Sequence, residues 1–285
     1  MSGYRILITG AKGMLGRTLV RRWSSHHTVI ATDYEELDIT NTQACIAGIA
    51  QAKPDIVVHC AAYTAVDRCE SDVDAAYRLN AIGSANVAIA CQRSAARMIA
   101  ISTDYVFSGD APLPYNEWDQ PGPRTVYGAS KLAGEVAVRT HCPDHTIVRI
   151  AWLYGAGGPS FVHTMLRLGA QPGGPMRVVA DQIGNPTSTD AVAAGLTALF
   201  EHNIVGTVHL TCSGETSWYG FTQEILRLRM LGRELTPCTT AEYPRPAPRP
   251  ANSRLDKMAL RLYGLPAMPA WQDALATFLI ANPDG

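Results

Sequence analysis

The chain has 285 residues, 47% of them hydrophobic, which exceeds one average domain and is enough for a large core, and 24 basic against 25 acidic side chains leave a formal net charge of −1. That balance argues against both a basic surface for nucleic acid and an acidic solvating tail, so a small-molecule partner is expected. The cysteines (Cys45, Cys60, Cys69, Cys91, Cys142, Cys212 and Cys238) form no C-x-x-C pair and are odd in number, which argues against a disulfide framework or a zinc site and fits a reducing cytoplasm. Met1-Ser2-Gly3-Tyr4 runs straight into a strand without a signal-type apolar region, and no stretch approaches the roughly 18 apolar residues of a membrane span, so a soluble chain without membrane contact is expected.

Tyr4 to Thr9 is an apolar run that predicts a strand, followed by Gly10, Gly13 and Gly16 and then a helical pattern through Leu15, Leu19, Val20 and Trp23. Glycines at this spacing permit a tight turn, let the backbone at Met14 and Leu15 approach a pyrophosphate, and let the helix pack closely on a sheet. The second strand, Thr28 to Thr32, ends at Asp33, about 20 residues on, where a carboxylate can accept hydrogen bonds from an adenosine ribose; the plain alternative is an aspartate capping a turn. Asp38 and Ile39 lead into a helix over Thr42 to Gln51, and Pro54 to Ala62 reads as the next buried strand, delivering Ala61, Ala62 and Tyr63. Asp72 to Ala90 has one long helical pattern carrying Asn80, and Arg97 to Ser102 is another apolar strand that runs into Thr103 and Asp104.

Such alternation predicts an α/β fold with a doubly wound parallel sheet of Rossmann type, whose ligands bind beyond the carboxyl ends of the strands. Asp38, Ala61, Ala62, Tyr63, Ser102 and Thr103 fall at those ends. Gly109 to Arg124 is an aperiodic loop that delivers Tyr127-Gly128-Ala129-Ser130-Lys131. A tyrosine and a lysine four apart on a helix face the same way, with Cβ atoms roughly 5–6 Å apart. An ammonium so placed favours the phenolate and brings the phenol towards working pH, where it can protonate a carbonyl oxygen.

Thr146 to Gly155 reads as strand and turn, helices are expected near Phe161 to Leu168 and Asp190 to Glu201 around a strand at Met176 to Ala180, and Val208 to Thr211 and Trp218 to Leu231 as strand and helix. Thr236 to Ser253 is proline-dense and extended. The expected division is a dinucleotide-binding unit over 1–148 and 179–208, with a smaller C-terminal substrate-binding lobe over 149–178 and 209–285.

The glycine turn, Asn80, Thr103 and the Tyr127/Lys131 pair, in that order, resemble the extended short-chain dehydrogenase/reductase family. Ala61-Ala-Tyr-Thr-Ala-Val-Asp67, Ser102-Thr-Asp-Tyr-Val-Phe-Ser108, Tyr127-Gly-Ala-Ser-Lys-Leu-Ala-Gly-Glu135 and Arg249-Pro-Ala-Asn-Ser-Arg-Leu255 are similar to the branch of it that reduces dTDP-4-keto-6-deoxy-L-sugars. The resemblance implies reduction of the C4 ketone of dTDP-4-dehydro-L-rhamnose with NADPH or NADH. It implies that Thr103 holds the carbonyl, that Tyr127 supplies the proton, and that Lys131 holds the nicotinamide ribose and lowers the phenol's pKa. Asp104 and Trp152 would lie near the sugar, and Arg249 and Ser253 over the nucleotide, where a guanidinium suits a pyrophosphate. The plain alternatives are a capping Asp104, a core Trp152 and a solvated Arg249. Some relatives dimerise through magnesium held by acidic side chains, one just after the glycine turn, but Arg17-Thr18 follow Gly16 and Asp190 alone makes no site, so no metal is expected; a homodimer stays open. Asp33, followed by Tyr34, Glu35 and Glu36, predicts use of both cofactors with a lean towards NADH, Lys12 being the nearest base for a 2′-phosphate. Two other readings share these motifs: a reductase or epimerase of another nucleotide sugar, and a catalytically silent regulatory subunit of the same fold.

Overall fold

Apolar runs separated by helical patterns fold as one parallel sheet with helices on both faces in the computed structural model, which describes residues 3–283. Residues 1–2 and 284–285, at the ends of the two expected units, lie outside the described residues. The first half runs β1 (Arg5–Thr9), α1 (Met14–Trp23), β2 (Thr28–Thr32), α2 (Thr42–Ala52), β3 (Ile56–His59), α3 (Val66–Cys69), α4 (Val73–Tyr77), α5 (Ser84–Arg93), β4 (Arg97–Thr103), α6 (Val126–His141) and β5 (His145–Ile150). The second half continues with β6 (Leu153–Tyr154), α7 (Phe161–Ala170), β7 (Met176–Val179), β8 (Ile183–Gly184), β9 (Thr187–Ser188), α8 (Thr189–Glu201) and β10 (Gly206–His209). It ends with β11 (Thr216–Ser217), α9 (Trp218–Leu228), β12 (Leu235–Cys238), β13 (Asn252–Ser253), α10 (Met258–Leu262) and α11 (Trp271–Ala281).

The sheet has the order β10-β5-β4-β3-β1-β2 with every neighbouring pair parallel. Because side chains alternate across a strand, Ile6 and Ile8 enter the core layer shared with α1 and α8, while Leu7 enters the layer shared with α2, α5 and α6. Burial on both faces is why these strands read as unbroken apolar runs. The chain leaves β1 towards β2 on one side and β3 on the other, so a crevice opens at the carboxyl ends of β1 and β3. Smaller sheets, β7 with β12 and β8 with β11 and β13, are built from the later part of the chain.

Several elements differ from expectation. The helix expected over Asp72 to Ala90 is α4 and α5 joined by a π-turn at Arg78–Gly83, one residue per turn wider, which carries Asn80. The strand and turn expected over Thr146 to Gly155 is β5, ending at Ile150, and the short β6, with Trp152 between them left-handed at φ 47°. The helix expected to reach Leu231 stops at Leu228, just before Met230 turns left-handed at φ 52°. Two terminal helices, α10 and α11, were not foreseen; α11 buries Trp271, Leu275, Phe278 and Leu279 in the first core layer.

Helix α6 is seated by two glycines that touch backbone on either side. A Cβ on Gly128 would overlap the Tyr105 carbonyl oxygen, and one on Gly134 the Asn80 carbonyl oxygen, with Ser84 Oγ 3.1 Å away. Alanine normally stabilises a helix interior over glycine by about 1 kcal/mol, whereas overpacking against rigid backbone costs about 1–3 kcal/mol. Gly134→Ala is therefore expected to lower the denaturation midpoint despite its better helix propensity. Gly48→Ala in α2, where the new methyl meets only the movable Leu37 Cδ1 at 3.0 Å, is expected to leave it unchanged or raise it. Equal effects in chemical denaturation would show that backbone contact does not seat α6.

Candidate active site

The crevice at the carboxyl ends opens into a cavity of about 1240 Å³ that runs from the glycine turn past Thr103 and Tyr127 to Arg245. At one end, Gly10 has φ +68° and a Cβ there would lie 2.7 Å from the Ala61 nitrogen; a Cβ on Gly16 would be 2.7 Å from the Ala11 Cα. Only glycine allows this approach of turn, helix and neighbouring strand. Helix α1 begins at Gly13 with no side-chain cap and no acidic residue in its first turn, so its unpaired N–H groups and its positive dipole end face the cavity. This cradle fits a dinucleotide pyrophosphate. Asp33 lines the same end, its carboxylate accepting from the backbone N–H of Lys12 and of Tyr34, each at 2.9 Å. The Lys12 ammonium is drawn to Glu35 and, at 3.4 Å, to Glu36.

Gly10, Gly13, Met14, Leu15, Gly16, Asp33, Ile39, Ala61, Ala62 and Ser102 line the cavity; Asp38, Tyr63 and Asn80 do not. The Asp38 carboxylate is turned onto Thr40, accepting from its N–H at 2.9 Å and its hydroxyl at 2.7 Å. Asn80 is buried behind the wall. Its Oδ1 accepts from the Tyr63 N–H at 2.7 Å, and its Nδ2 donates to the Tyr63 carbonyl at 3.1 Å and to Ser130 Oγ at 3.0 Å. The amide thus ties the loop after β3 to α6, and the π-turn aims it there. The Tyr63 hydroxyl donates to Asp72 at 3.3 Å, away from the cavity.

Thr103 at the end of β4, Tyr127 in the first turn of α6 and Lys131 one turn later meet in the middle of the cavity. Thr125 caps α6, accepting from the Gly128 N–H at 3.0 Å, and Glu70 accepts from the Val126 N–H at 2.9 Å, so the turn carrying Tyr127 is pinned from two sides. The Tyr127 ring stands edge-on to Tyr105, with centroids 5.5 Å apart. Burial pushes the Tyr127 phenol well above its usual range, with the Thr103 hydroxyl as the opposing influence. The Lys131 ammonium instead donates to the Ile101 carbonyl at 2.7 Å, and burial lowers its pKa to about 8, with the Glu135 carboxylate the main opposing influence. Desolvation thus governs the phenol, and the expected lowering by this lysine is not among the influences on it in the structure. Asp104 is 5% exposed, its Oδ1 accepting from the Thr103 hydroxyl at 3.0 Å while Oδ2 has no partner. Burial raises its carboxyl to about 6, with Ser253 and Thr103 opposing.

At the far end the left-handed Trp152 lays its indole on Trp218, centroids 3.5 Å apart and planes 9° from parallel, with Gly184 leaving room for the ring. Trp218 Nε1 donates to Gln182 at 3.0 Å. Arg249 is not free in solvent: it pairs with Asp67 of α3 at 2.9 Å and donates to the Ala247 carbonyl at 3.0 Å. Arg245 stacks its guanidinium 4.7 Å from the Tyr243 ring centroid and also lines the cavity, as does Ser253. Sequence reasoning missed Asp67, Tyr105, Gln182, Trp218 and Arg245 as lining residues. Asp67 and Tyr105 stand inside motifs that were recognised, Trp218 opens an expected helix, and Gln182 and Arg245 lie in stretches without a motif. Just after the glycine turn, where no metal was expected, Arg17 Nε donates to the Lys12 carbonyl at 2.6 Å, and the Asp190 carboxylate takes Arg21 at 2.8 Å and Arg22 at 3.1 Å. Among the described residues no group of three or more His, Cys, Asp or Glu side chains is placed to hold a metal ion.

Comparison with known proteins agrees with this geometry. The RmlD substrate binding domain pattern matches residues 4–282. A probable dTDP-4,6-dihydroxy-2-methyloxan-3-one 4-ketoreductase from Streptomyces antibioticus is 45% identical over 276 residues, covering 95% of this chain and 93% of that protein. A dTDP-4-dehydrorhamnose reductase from Streptomyces griseus is 43% identical over 284 residues, covering 95% and 91%. The crystal structure of a Bacillus anthracis dTDP-4-dehydrorhamnose reductase in complex with NADP superposes with a TM-score of 0.95 at 40% identity, covering 98% of this chain and 99% of that one. With the glycine cradle and the Thr103, Tyr127 and Lys131 group in one cavity and these matches running nearly end to end, the chain belongs to the family of the RmlD substrate binding domain, the dTDP-4-dehydrorhamnose reductases.

Proposed function

We propose that the chain reduces the C4 ketone of dTDP-4-dehydro-L-rhamnose to dTDP-L-rhamnose with NADPH or NADH. The observation that carries this reading is the placement of a buried hydroxyl and a buried phenol, Thr103 and Tyr127, in the same cavity as the glycine cradle. When bound, the dihydronicotinamide supplies the hydride that the ketone carbon receives. Tyr127 supplies the proton to the ketone oxygen; burial keeps its phenol protonated at working pH, which suits a donor in the reductive direction. Thr103 steadies the same oxygen as charge develops on it, and Lys131 holds the ribose and compensates the phenolate left behind. The unpaired oxygen of Asp104 is a ready acceptor for a sugar hydroxyl, and the exposed part of the Trp152 and Trp218 stack gives the ring and its methyl group a flat apolar wall.

Arg249 and Arg245 are the cations assigned to the diphosphate, with Ser253 beside them. We assign the dinucleotide to 1–148 and 179–208 and the nucleotide sugar to 149–178 and 209–285. All of these groups come from one chain, so a homodimer would leave the site whole. Near-balanced charge supports a small-molecule partner, and the unpaired thiols support a cytoplasmic setting; no helix of the described residues is long and apolar enough to cross a membrane. The relative acting on a different 4-keto sugar makes sugar identity the main alternative. Oxidation of NADPH and NADH against a panel of 4-keto nucleotide sugars tests the reading: turnover highest with dTDP-4-dehydro-L-rhamnose supports it, preference for another sugar replaces the substrate, and no turnover with any favours a silent regulatory subunit.

Three variants test the assigned roles. Tyr127→Phe is expected to lose about 10²–10⁴-fold in turnover while still binding cofactor, and retention of more than about a tenth of the wild-type rate would remove Tyr127 as the acid. Arg249→Ala is expected to raise KM for the nucleotide sugar by the equivalent of about 1.5–3 kcal/mol with cofactor affinity unchanged; an unaltered KM places Arg249 outside the site. Asp33→Ala is expected to shift the ratio of kcat/KM values towards NADPH, because the carboxylate repels a 2′-phosphate and its loss also leaves Lys12 less constrained. Strict NADPH dependence in the wild type, with Asp33→Ala indifferent, would contradict the ribose assignment.

A further inference from the structure

Glu135 lies one helical turn beyond Lys131 on α6 and is 3% exposed, yet nothing in the reduction described so far uses it. Its Oε1 accepts from the Ser102 hydroxyl at 2.6 Å and from Arg149 Nε at 2.9 Å; its Oε2 accepts from Arg149 at 2.8 Å and from Arg139 at 2.8 Å. Arg149 reaches in from β5, is 1% exposed, and lies 4.9 Å from the Phe107 ring centroid. Desolvation offsets most of the attraction within a buried ion pair, so stability alone is a weak reason for this one. Its position is informative: Ser102 immediately precedes Thr103, and Lys131 donates to the carbonyl of Ile101 on the same strand.

The titratable groups packed around Lys131 are His59 and Cys60 from β3 and its end, and Tyr127 and Glu135 from α6 itself. Burial drives His59 down to about 3 and the Cys60 thiol up to about 12, so both are neutral at working pH, as is Tyr127. Burial also works against ionised Glu135, but Arg149, Ser102 and Arg139 outweigh it and hold its carboxyl below the usual range. Of these groups, Glu135 alone presents a negative charge to the lysine.

We propose that Glu135 is a positioning residue for the reduction: through Ser102 and Arg149 it fixes the strand end that carries Thr103, and across one helical turn it keeps the Lys131 ammonium charged. The proposal rests on the roles assigned above to Thr103 and Lys131. Removing Glu135 should let Lys131 lose its proton at lower pH. Removing only Arg139, which is exposed near the end of α6, leaves the carboxylate less compensated and should do the opposite. A structural defect would not move the two in opposite directions.

The test uses E135Q/R149M, which removes both buried charges together and so avoids stranding one, beside R139M and E135D, with thermal melting to establish that each is folded. Two alkaline limbs are read: that of kcat/KM, and that of the NADH dissociation constant, measured by fluorescence with no sugar present. Both should move to lower pH by about one unit in E135Q/R149M, the low end of what an opposite charge at close range does. R139M should move them by less and to higher pH, and E135D, which keeps the charge, should restore them towards wild type. Limbs that stay put in folded E135Q/R149M, or that move the same way in it and in R139M, overturn the proposal. Should the double variant not fold, the direction of the R139M shift decides alone. Because the dissociation constant needs no sugar, failure of the chain to reduce any 4-keto sugar would overturn the proposed function and leave this result readable.

Discussion

Helix α6 can carry the site only because it is pressed against backbone on both sides. Gly128 lets its first turn lie on the 3₁₀ turn at Asp104–Val106, and Gly134 lets its middle lie on the π-turn at Arg78–Gly83. Side chains lock the same register: Asn80 reaches Ser130, Thr125 and Glu70 hold the first turn, and Glu135 holds β4 and β5. The positions of Tyr127 and Lys131 follow from these contacts, and Thr103 comes to meet them because β4 ends where the 3₁₀ turn begins. A wider interhelical gap would separate the phenol from the threonine hydroxyl that opposes its desolvation.

Burial is the second constraint, and it acts on three ionisable groups in one direction, towards the neutral form. It raises Tyr127, lowers Lys131 to about 8 and raises Asp104 to about 6. A reductase gains from the first, since the donor must hold its proton until the ketone oxygen needs it. The second would be a liability at working pH were it not opposed by a carboxylate one turn away. The third leaves Asp104 close to ionisation balance, able to accept from a sugar hydroxyl or to donate to one. Water exclusion and charge placement are thus one property of this cavity, set by how deeply β4 and α6 are packed.

Much of this was legible in the sequence because the constraints are local. The Gly10, Gly13 and Gly16 spacing, the apolar strands, and the four-residue offset of Tyr127 and Lys131 each express a local geometry, and the glycine turn and the parallel sheet are where they were expected. What was not legible depends on long-range packing. The π-turn places Asn80 behind the cavity wall, where it orders Tyr63 and Ser130 and does not line the site. Trp152 adopts a left-handed backbone, and its indole fits only because Gly184, 32 residues later in the chain by their numbers, leaves room for the ring. Arg249 finds Asp67 across the cleft, and Trp218 completes a stack whose other half lies 66 positions earlier by their numbers, and no spacing rule reaches that far. α10 and α11 lack strong capping signals and declare themselves only through the core they cover.

That burial keeps the Tyr127 phenol protonated is the claim on which the proton-donor role turns. Its most direct test is an ultraviolet difference titration of the phenolate band in the cofactor-free wild type against Tyr127→Phe, which isolates the one tyrosine. The account predicts that no phenolate attributable to Tyr127 forms until above about pH 10, the range of a free tyrosine. A Tyr127 phenolate titrating near neutral pH would contradict it, and would mean that the Lys131 ammonium, and not desolvation, governs the phenol.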